Sequence, residues 1–83
     1  MKARKSLVEM AAGEGGVLAE VQGGQGLARR LEAMGLRPGV PLTKMSGPYL
    51  RGPVAVRAGN AEVAIGFGMA GRVIVEVEAG GRV

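Results

Sequence analysis

Two short runs of alternating apolar and polar residues, Val54–Ala58 and Ala61–Ile65, constrain the fold of this chain more than any other feature. Only Gly59-Asn60 separates them, and a two-residue turn with glycine first is typical of a type II′ hairpin, although Gly-Asn also fits type I′. The turn fixes the register of the two strands. The predicted pairs are Val54 with Ile65, Val56 with Val63, Arg57 with Glu62, and Ala58 with Ala61. We therefore expect two β-branched pairs on the inner face and an ion pair on the outer face.

The size and composition of the chain limit what can surround this hairpin. With 83 residues, no Cys and no His, the chain lacks the ligands of structural zinc, iron–sulfur and haem sites and cannot form disulfides. A chain this short forms one domain that is held together by packing alone. Its 11 Val outnumber its 7 Leu, which favours β-structure. We expect a single domain over residues 1–83, with a core at about 7–78 and a frayed tail at 79–83.

The net charge of +4 includes three basic residues close to the start of the chain, Lys2, Arg4 and Lys5. We expect residues 1–5 to form a basic arm that aids solubility; an arm that binds phosphate or a membrane surface is the alternative. No apolar run is long enough to cross a membrane, and Glu9 interrupts the segment after the basic start. The expected location is therefore the cytoplasm.

Further elements follow from the spacing of apolar residues. Residues 17–22 predict a strand whose Val17, Ala19 and Val21 face the core. Leu27, Leu31 and Met34 lie on one face of a predicted helix, and Gly35 is suited to end it in a Schellman motif, with a contact between Leu31 and Leu36. Residues 40–46 and 72–78 predict two more strands, and 66–71 a tight turn or a single helical turn. The expected fold is mainly β: a small, partly open barrel of about five strands, with one short helix inserted after the first strand.

No catalytic residue, cofactor or metal site is expected. Residues 66–71 read G-x-G-x-x-G, but only 12 residues follow, too few for a dinucleotide-binding unit. The serines have no histidine to activate them, and Lys44 shows no sign of the burial that a catalytic base needs. The three glutamates of the last strands, Glu62, Glu76 and Glu78, are a weak set of metal ligands. The chain is therefore expected not to be an enzyme.

One loop stands out as a surface that could contact another protein. Residues 46–53 place Tyr49, Leu50 and Arg51 between two Gly-Pro pairs. An exposed Tyr-Leu-Arg tip has the composition of a protein-contact anchor. The same side chains could instead fold back as a lid on the barrel, and the sequence leaves both readings open.

The chain resembles the FeoA family, small proteins of bacterial ferrous iron uptake. The strongest resemblance lies in residues 29–39, Arg-Arg-Leu-Glu-Ala-Met-Gly-Leu-Arg-Pro-Gly, and it extends over roughly residues 7–76. The resemblance implies an SH3-like barrel, similar to the C-terminal domain of iron-dependent repressors. It also implies an accessory to the FeoB ferrous iron transporter, acting at the cytoplasmic GTP-binding part. On this hypothesis the contact surface includes Arg29 and Arg30 of the helix together with Tyr49, Leu50 and Arg51.

Two other functions stay open at this stage. A small basic barrel can bind nucleic acid, although Tyr49 and Phe67 are the only aromatic residues on which bases could stack. A stand-alone module of the repressor type could bind a different protein. The sequence does not fix the docking site, the oligomeric state or any sensitivity to metal.

Overall fold

The computed structural model describes residues 1–78, which form six strands and two short helices. The elements are β1 (Lys2–Ser6), β2 (Gly15–Val21), α1 (Gln25–Glu32), β3 (Pro41–Ser46), β4 (Val54–Ala58), β5 (Ala61–Ile65), α2 (Phe67–Ala70) and β6 (Val73–Glu78). All six strands belong to one antiparallel sheet in the order β1-β6-β2-β3-β4-β5. The sheet curls into a barrel. Because its two edge strands, β1 and β5, do not pair with each other, hydrogen bonds do not close the barrel. The prediction of a mainly β, partly open barrel with one short helix is confirmed, and the four-residue α2 is the single helical turn that was one of the two expectations for residues 66–71.

The basic segment at the start of the chain is a strand of the sheet and not the separate arm that the sequence predicted. Strand β1 pairs along its whole length with β6, from Lys2 opposite Glu78 to Ser6 opposite Ile74. The strand count is therefore six instead of five, and α1 follows the second strand instead of the first. The domain core also begins earlier than residue 7, because Ala3 packs against it and Ser6 is buried. The expected tail at 79–83 lies outside the described residues.

The hairpin of β4 and β5 has the predicted register at every pair, including Val56 opposite Val63 and Arg57 opposite Glu62. The Arg57 guanidinium lies 2.8 Å from a carboxylate oxygen of Glu62 on the outer face. Gly59 has a φ of 64°, whereas Asn60 does not adopt a positive φ. Of the two turn types considered, this combination fits type II′, because type I′ needs a positive φ at both central residues.

In the first half of β2 the face that points inward differs from the prediction: Leu18 is buried, while Val17 is 40% exposed. A bulge follows, because the pairing with β6 shifts between Leu18, opposite Val75, and Glu20, opposite Ile74. Beyond the bulge, Val21 packs against the core as predicted. An extra residue in a strand reverses which side chains face the core beyond it. A simple two-residue period could not predict this reversal.

Helix α1 ends in the Schellman motif that the sequence predicts. The Leu36 N–H donates to the carbonyl oxygen of Leu31 at 2.9 Å, and the Gly35 N–H donates to that of Glu32 at 2.9 Å. Gly35 has a φ of 86°, the left-handed value that the motif requires. Both leucines are fully buried. The turn that ends the helix therefore also fixes the helix on the core.

The core lies inside the curled sheet. Strands β2, β3, β4 and β6 contribute Leu and Val side chains, and β5 contributes Ile65. The helices and the connections supply the other core residues. Its fully or almost fully buried apolar residues are Leu7, Met10, Leu18, Leu31, Leu36, Leu42, Val54, Val56, Ile65, Ala70, Val73, Val75 and Val77. The connection between β1 and β2 contributes Leu7 and Met10, so this segment packs against the core.

Candidate functional site

The loop at residues 46–53, called here the 46–53 loop, joins β3 to β4 and carries three of the five predicted contact residues. Its base is narrow, because a Cβ atom at Gly47 would overlap the backbone carbonyl of Pro53. Gly47 also has a φ of 84°, so glycine is the residue suited to this position. At the tip, the Gly52 N–H donates to the carbonyl oxygen of Tyr49 at 2.8 Å and closes a four-residue turn.

The two central residues of this turn are held in an unfavourable backbone conformation. Leu50 has a φ of 51° and Arg51 a φ of 66°, the signs found in a type I′ turn. Asn and Gly are the usual residues there, and other L-residues lose about 1–2 kcal/mol each. Tyr49 is 76% exposed and Leu50 is completely exposed. These two side chains therefore do not form a lid on the barrel; they project from a strained turn.

Arg51 has a different role from its two neighbours. Its guanidinium carbon lies 5.7 Å from the centre of the Phe67 ring, on α2. A cation–π contact at an exposed site contributes about 0.5–1 kcal/mol. Arg51 therefore connects the 46–53 loop to α2, and Tyr49 and Leu50 are the apolar side chains that the loop leaves exposed.

The other two predicted contact residues, Arg29 and Arg30, lie exposed in the last turn of α1. Positive charge there is favourable for the helix itself, because the last carbonyl groups carry a partial negative charge. Residues 33–40 separate α1 from the start of β3, and the 46–53 loop begins at the end of that strand. In residues 1–78 no side-chain hydrogen bond or ion pair joins the helix arginines to the loop.

The ion pairs of the sheet change where the positive charge of the protein lies. Lys2, Arg4 and Lys5, expected to form the basic surface, face Glu78, Glu20 and Glu14 at 3.7, 3.9 and 3.1 Å. Among the residues described, the arginines that make no ion pair are Arg29, Arg30, Arg37, Arg51 and Arg72. The excess charge is thus carried by α1, the segment after it and the turns, and not by the start of the chain.

A shallow groove beside α1 was not apparent in the sequence. It has a volume of about 360 Å³ and lies between α1 and β2. Its lining combines apolar and charged residues: Val21, Ala28, Leu36 and Pro38 with Glu20, Glu32 and Arg37. Leu36, Arg37 and Pro38 belong to the segment that follows the Schellman motif. Apolar periodicity alone could not predict that arrangement.

Lys44 is the second feature that the sequence did not reveal. It lies on β3 with only 2% of its surface exposed, although no burial was expected. Its Nζ donates to the carbonyl oxygen of Val8 at 3.2 Å and to that of Met10. Burial lowers the pKa of Lys44, and the nearby carboxylate of Glu14 partly offsets this effect. The ammonium group pairs backbone carbonyls of the β1–β2 connection, which is a structural role.

Glu14 anchors the same connection from the other side. Its Oε1 accepts the Ala11 N–H at 2.9 Å, and its carboxylate lies 3.1 Å from the Lys5 ammonium. The hydrogen bond from Ala11 lowers the pKa of Glu14 most, and Lys5 lowers it further, whereas burial acts in the opposite direction. Lys5, Glu14 and Lys44 therefore hold residues 8–14 against the barrel.

The acidic side chains of the described residues are dispersed or paired with basic residues. In residues 1–78 no three side chains of the His, Cys, Asp and Glu types come close enough to hold a metal ion. Glu62 pairs with Arg57, and Glu78 pairs with Lys2. No helix in the described part of the chain is long and apolar enough to cross a membrane. The arrangement can provide exposed apolar and basic side chains on a rigid barrel.

A small, mainly β domain of the SH3-like class is what this fold and surface define. The chain belongs to the FeoA family, since the family model described as "FeoA domain" matches residues 5–77. FeoA proteins are accessory factors of ferrous iron transport. The sequence-based assignment to this family is confirmed. No curated protein matches the chain.

Solved structures support the assignment. The crystal structure of an iron uptake regulatory protein, FeoA, is 34% identical, covers 88% of this chain and 95% of its own, and has a TM-score of 0.79. FeoA of Stenotrophomonas maltophilia, solved with zinc, is 28% identical over 84% of this chain and 87% of its own, with a TM-score of 0.71. It is described as an SH3 domain protein and a candidate activating factor of ferrous iron transport.

A repressor shows the same fold within a longer chain. A manganese-dependent transcriptional repressor is 18% identical, with a TM-score of 0.83 over 94% of this chain and 44% of its own. The likeness confirms the predicted similarity of fold to repressor domains and extends to the fold alone.

Proposed function

We propose that this FeoA protein is a non-enzymatic accessory of ferrous iron uptake that binds the cytoplasmic GTP-binding region of a FeoB-type transporter. The single observation that carries the proposal is the fully exposed Leu50 beside Tyr49 on a strained turn. An apolar side chain that gains nothing from its own fold, in a costly backbone conformation, is typical of a residue that contacts a partner. Membership of the FeoA family supplies the identity of that partner.

The unpaired arginines of α1 form the second part of the proposed contact. Arg29 and Arg30 have no acidic partner in residues 1–78, so a partner can pair them without breaking an existing ion pair. The helix lies in the connection between β2 and β3 and the 46–53 loop in that between β3 and β4, so the proposed surface consists of two separate contacts. Charge steers association and gives it a salt dependence, whereas the apolar tip contributes most of the affinity.

Titration of the isolated cytoplasmic domain of the transporter with this protein tests the proposal directly. We expect saturable binding that Tyr49→Ala weakens by about tenfold or more, the cost of losing an interface anchor. Met45→Ala is the matched control, because Met45 is also a large exposed apolar residue, 37% exposed, but lies within β3. Absence of binding at high micromolar concentration, with both proteins folded, would overturn the proposal.

A charge series separates the arginines from general electrostatics. The double variant Arg29→Gln with Arg30→Gln should slow association and reduce its salt dependence. Lys2→Gln with Arg4→Gln removes the same net charge from side chains that already pair with Glu78 and Glu20. Equal effects of the two double variants would show that α1 is not part of the contact.

Nucleic-acid binding is the second candidate, because the same unpaired arginines could contact phosphates. Its signature is affinity for single-stranded RNA or DNA that falls steeply with salt. Removing residues 1–5 cannot test it, since Lys2–Ser6 is a strand of the sheet. The Arg29 and Arg30 double variant can, because those side chains lie on the helix surface.

A further inference from the structure

The two edges of the sheet differ sharply in chemistry. Strand β1 carries Lys2, Arg4 and Lys5, and charged side chains on an edge strand oppose pairing with another chain. Strand β5 has the sequence Ala-Glu-Val-Ala-Ile, without proline and with Glu62 as its single charge. One edge is therefore protected by like charges, and the other is not.

The backbone of β5 is paired on one side only. Every residue from Ala61 to Ile65 faces a partner on β4. Within residues 1–78, no backbone hydrogen bond connects β5 to any other element. Ala61, Glu62 and Ala64 are exposed, and the two alanine side chains are too small to cover the backbone of this edge. An accessible edge strand with unpaired N–H and C=O groups is a template for a further strand.

We propose that the β5 edge pairs with the β5 edge of a second copy of this chain, antiparallel and centred on Val63. This inference is independent of the proposed function. A two-fold axis at Val63 pairs all five residues of the strand. The resulting pairs are Ala61 with Ile65, Glu62 with Ala64, and Val63 with its own counterpart. In this register, residues that lie opposite each other point to the same side of the sheet in both copies. Glu62 of one copy, for example, lies opposite Ala64 of the other, and both are on the outer face.

Other registers are less favourable for physical reasons. A shift of one residue would pair inward-facing with outward-facing side chains. A shift of two residues in one direction places Glu62 directly opposite Glu62 of the second copy, and like charges in that position are destabilising. The opposite shift pairs only Val63, Ala64 and Ile65. In the equivalent self-pairing of β1, Arg4 would lie opposite its own counterpart, and like charges in that position are destabilising.

The register predicts opposite effects of opposite charges at one exposed position. Ala64→Lys places a lysine opposite Glu62 of the second copy, twice per dimer, and should tighten dimerisation by about 2- to 30-fold. Ala64→Glu places two carboxylates opposite each other and should weaken it by a similar factor. Within a single chain, position 64 lies diagonally across from Arg57 on β4 and two positions from Glu62 on the same face, so charges of both signs are close to it. Urea unfolding of the two variants measures this intrachain effect separately from dimerisation.

Sedimentation velocity over a concentration series from micromolar to millimolar tests this proposal. Five pairs form a small interface, so the expected result is a reversible dimer whose fraction rises with concentration. Concentration-dependent NMR shifts should be largest for the amides of Ala61–Ile65 and absent from β1. Ala12→Lys and Ala12→Glu are matched controls, because Ala12 is an exposed alanine of the β1–β2 connection. A monomer at millimolar concentration, equal effects of Ala64→Lys and Ala64→Glu, or equal effects at positions 12 and 64 would each overturn the proposal.

Discussion

The ammonium group of Lys44 donates a hydrogen bond to the backbone carbonyl oxygen of Met10, across 34 positions of sequence and inside the barrel. A second hydrogen bond, to the carbonyl of Val8, completes the pairing. No side-chain nitrogen or oxygen atom buried in residues 1–78 lacks a partner. Val8 and Met10 lie in the connection between β1 and β2, outside the strands. Lys44 therefore supplies their carbonyl groups with the hydrogen-bond donor that a neighbouring strand would provide within a sheet.

Replacing Lys44 with methionine tests this role. Lys44→Met keeps an unbranched apolar side chain but leaves the carbonyls of Val8 and Met10 unpaired, and we expect the free energy of unfolding to fall by about 2–4 kcal/mol. Urea denaturation measures the change. Lys5→Met is the control, since the Lys5 side chain is 39% exposed and its ion pair contributes no more than about 1 kcal/mol. Equal losses in the two variants would contradict the structural role of Lys44.

Glu14 should make the stability of the protein sensitive to acid. Its pKa in the folded protein lies below the ordinary value of 4.5, so the folded state binds this proton more weakly than the unfolded state does. The stabilisation is present above the ordinary pKa and is lost as the pH falls through the folded value. We expect Glu14→Gln to flatten the decline of the unfolding free energy below about pH 5. Urea melts at a series of pH values test this, and an unchanged slope would show that other carboxylates are responsible.

Local patterns predicted the parts of the fold whose contacts are close in sequence. The register of the β4–β5 hairpin follows from Gly59-Asn60, and the end of α1 follows from the spacing of Leu31, Gly35 and Leu36. The 46–53 loop was also predicted, but only the structure shows that Tyr49 and Leu50 point away from the barrel.

The missed features depend on contacts between distant segments. Lys2–Ser6 has no apolar alternation, and it becomes a strand because its backbone pairs with β6 over all five residues. The bulge in β2 and the burial of Lys44 likewise depend on β6 and on residues 8–10. Local sequence patterns do not contain information about such contacts. For that reason the sequence predicted the excess positive charge at residues 1–5, whereas those basic side chains form ion pairs and Arg29 and Arg30 of α1 do not.

Two adjacent glycines of β2 should respond very differently to substitution. A Cβ atom at Gly16 would overlap the backbone of Glu76 and lie 2.7 Å from Val75 Cγ1, whereas at Gly15 the nearest atoms are 3.4 Å away. We expect Gly16→Ala to lower the free energy of unfolding by about 1–3 kcal/mol or more, since backbone must move, and Gly15→Ala to change it little. Thermal unfolding of the pair tests the close approach of β2 to β6. Similar melting temperatures for the two variants would contradict it.

The Schellman motif gives a prediction in which the backbone alone decides the result. A Cβ atom at Gly35 would meet no atom within 4 Å, so Gly35→Ala should cost only the left-handed backbone strain, about 1–2 kcal/mol. Gly68 in α2 has equally open surroundings but no positive φ. Gly68→Ala should therefore stabilise the protein by about 0.5–1 kcal/mol. Denaturant unfolding of both variants checks the two signs, and a loss of stability in both would mean that crowding is involved.

The strained tip of the 46–53 loop allows stability and binding to be separated. Leu50→Gly removes an apolar side chain that contacts nothing in its own fold and relieves a positive φ of 51°. The relief of about 1–2 kcal/mol exceeds the additional entropy cost of glycine, so the unfolding free energy should stay the same or rise by up to about 1 kcal/mol. Binding to the cytoplasmic domain of the transporter should weaken nonetheless. Leu50→Ala keeps the strain and is the control: it should lose affinity without gaining stability. Undiminished affinity in both variants would show that Leu50 is not part of the contact, even if the stability of Leu50→Gly rises as expected.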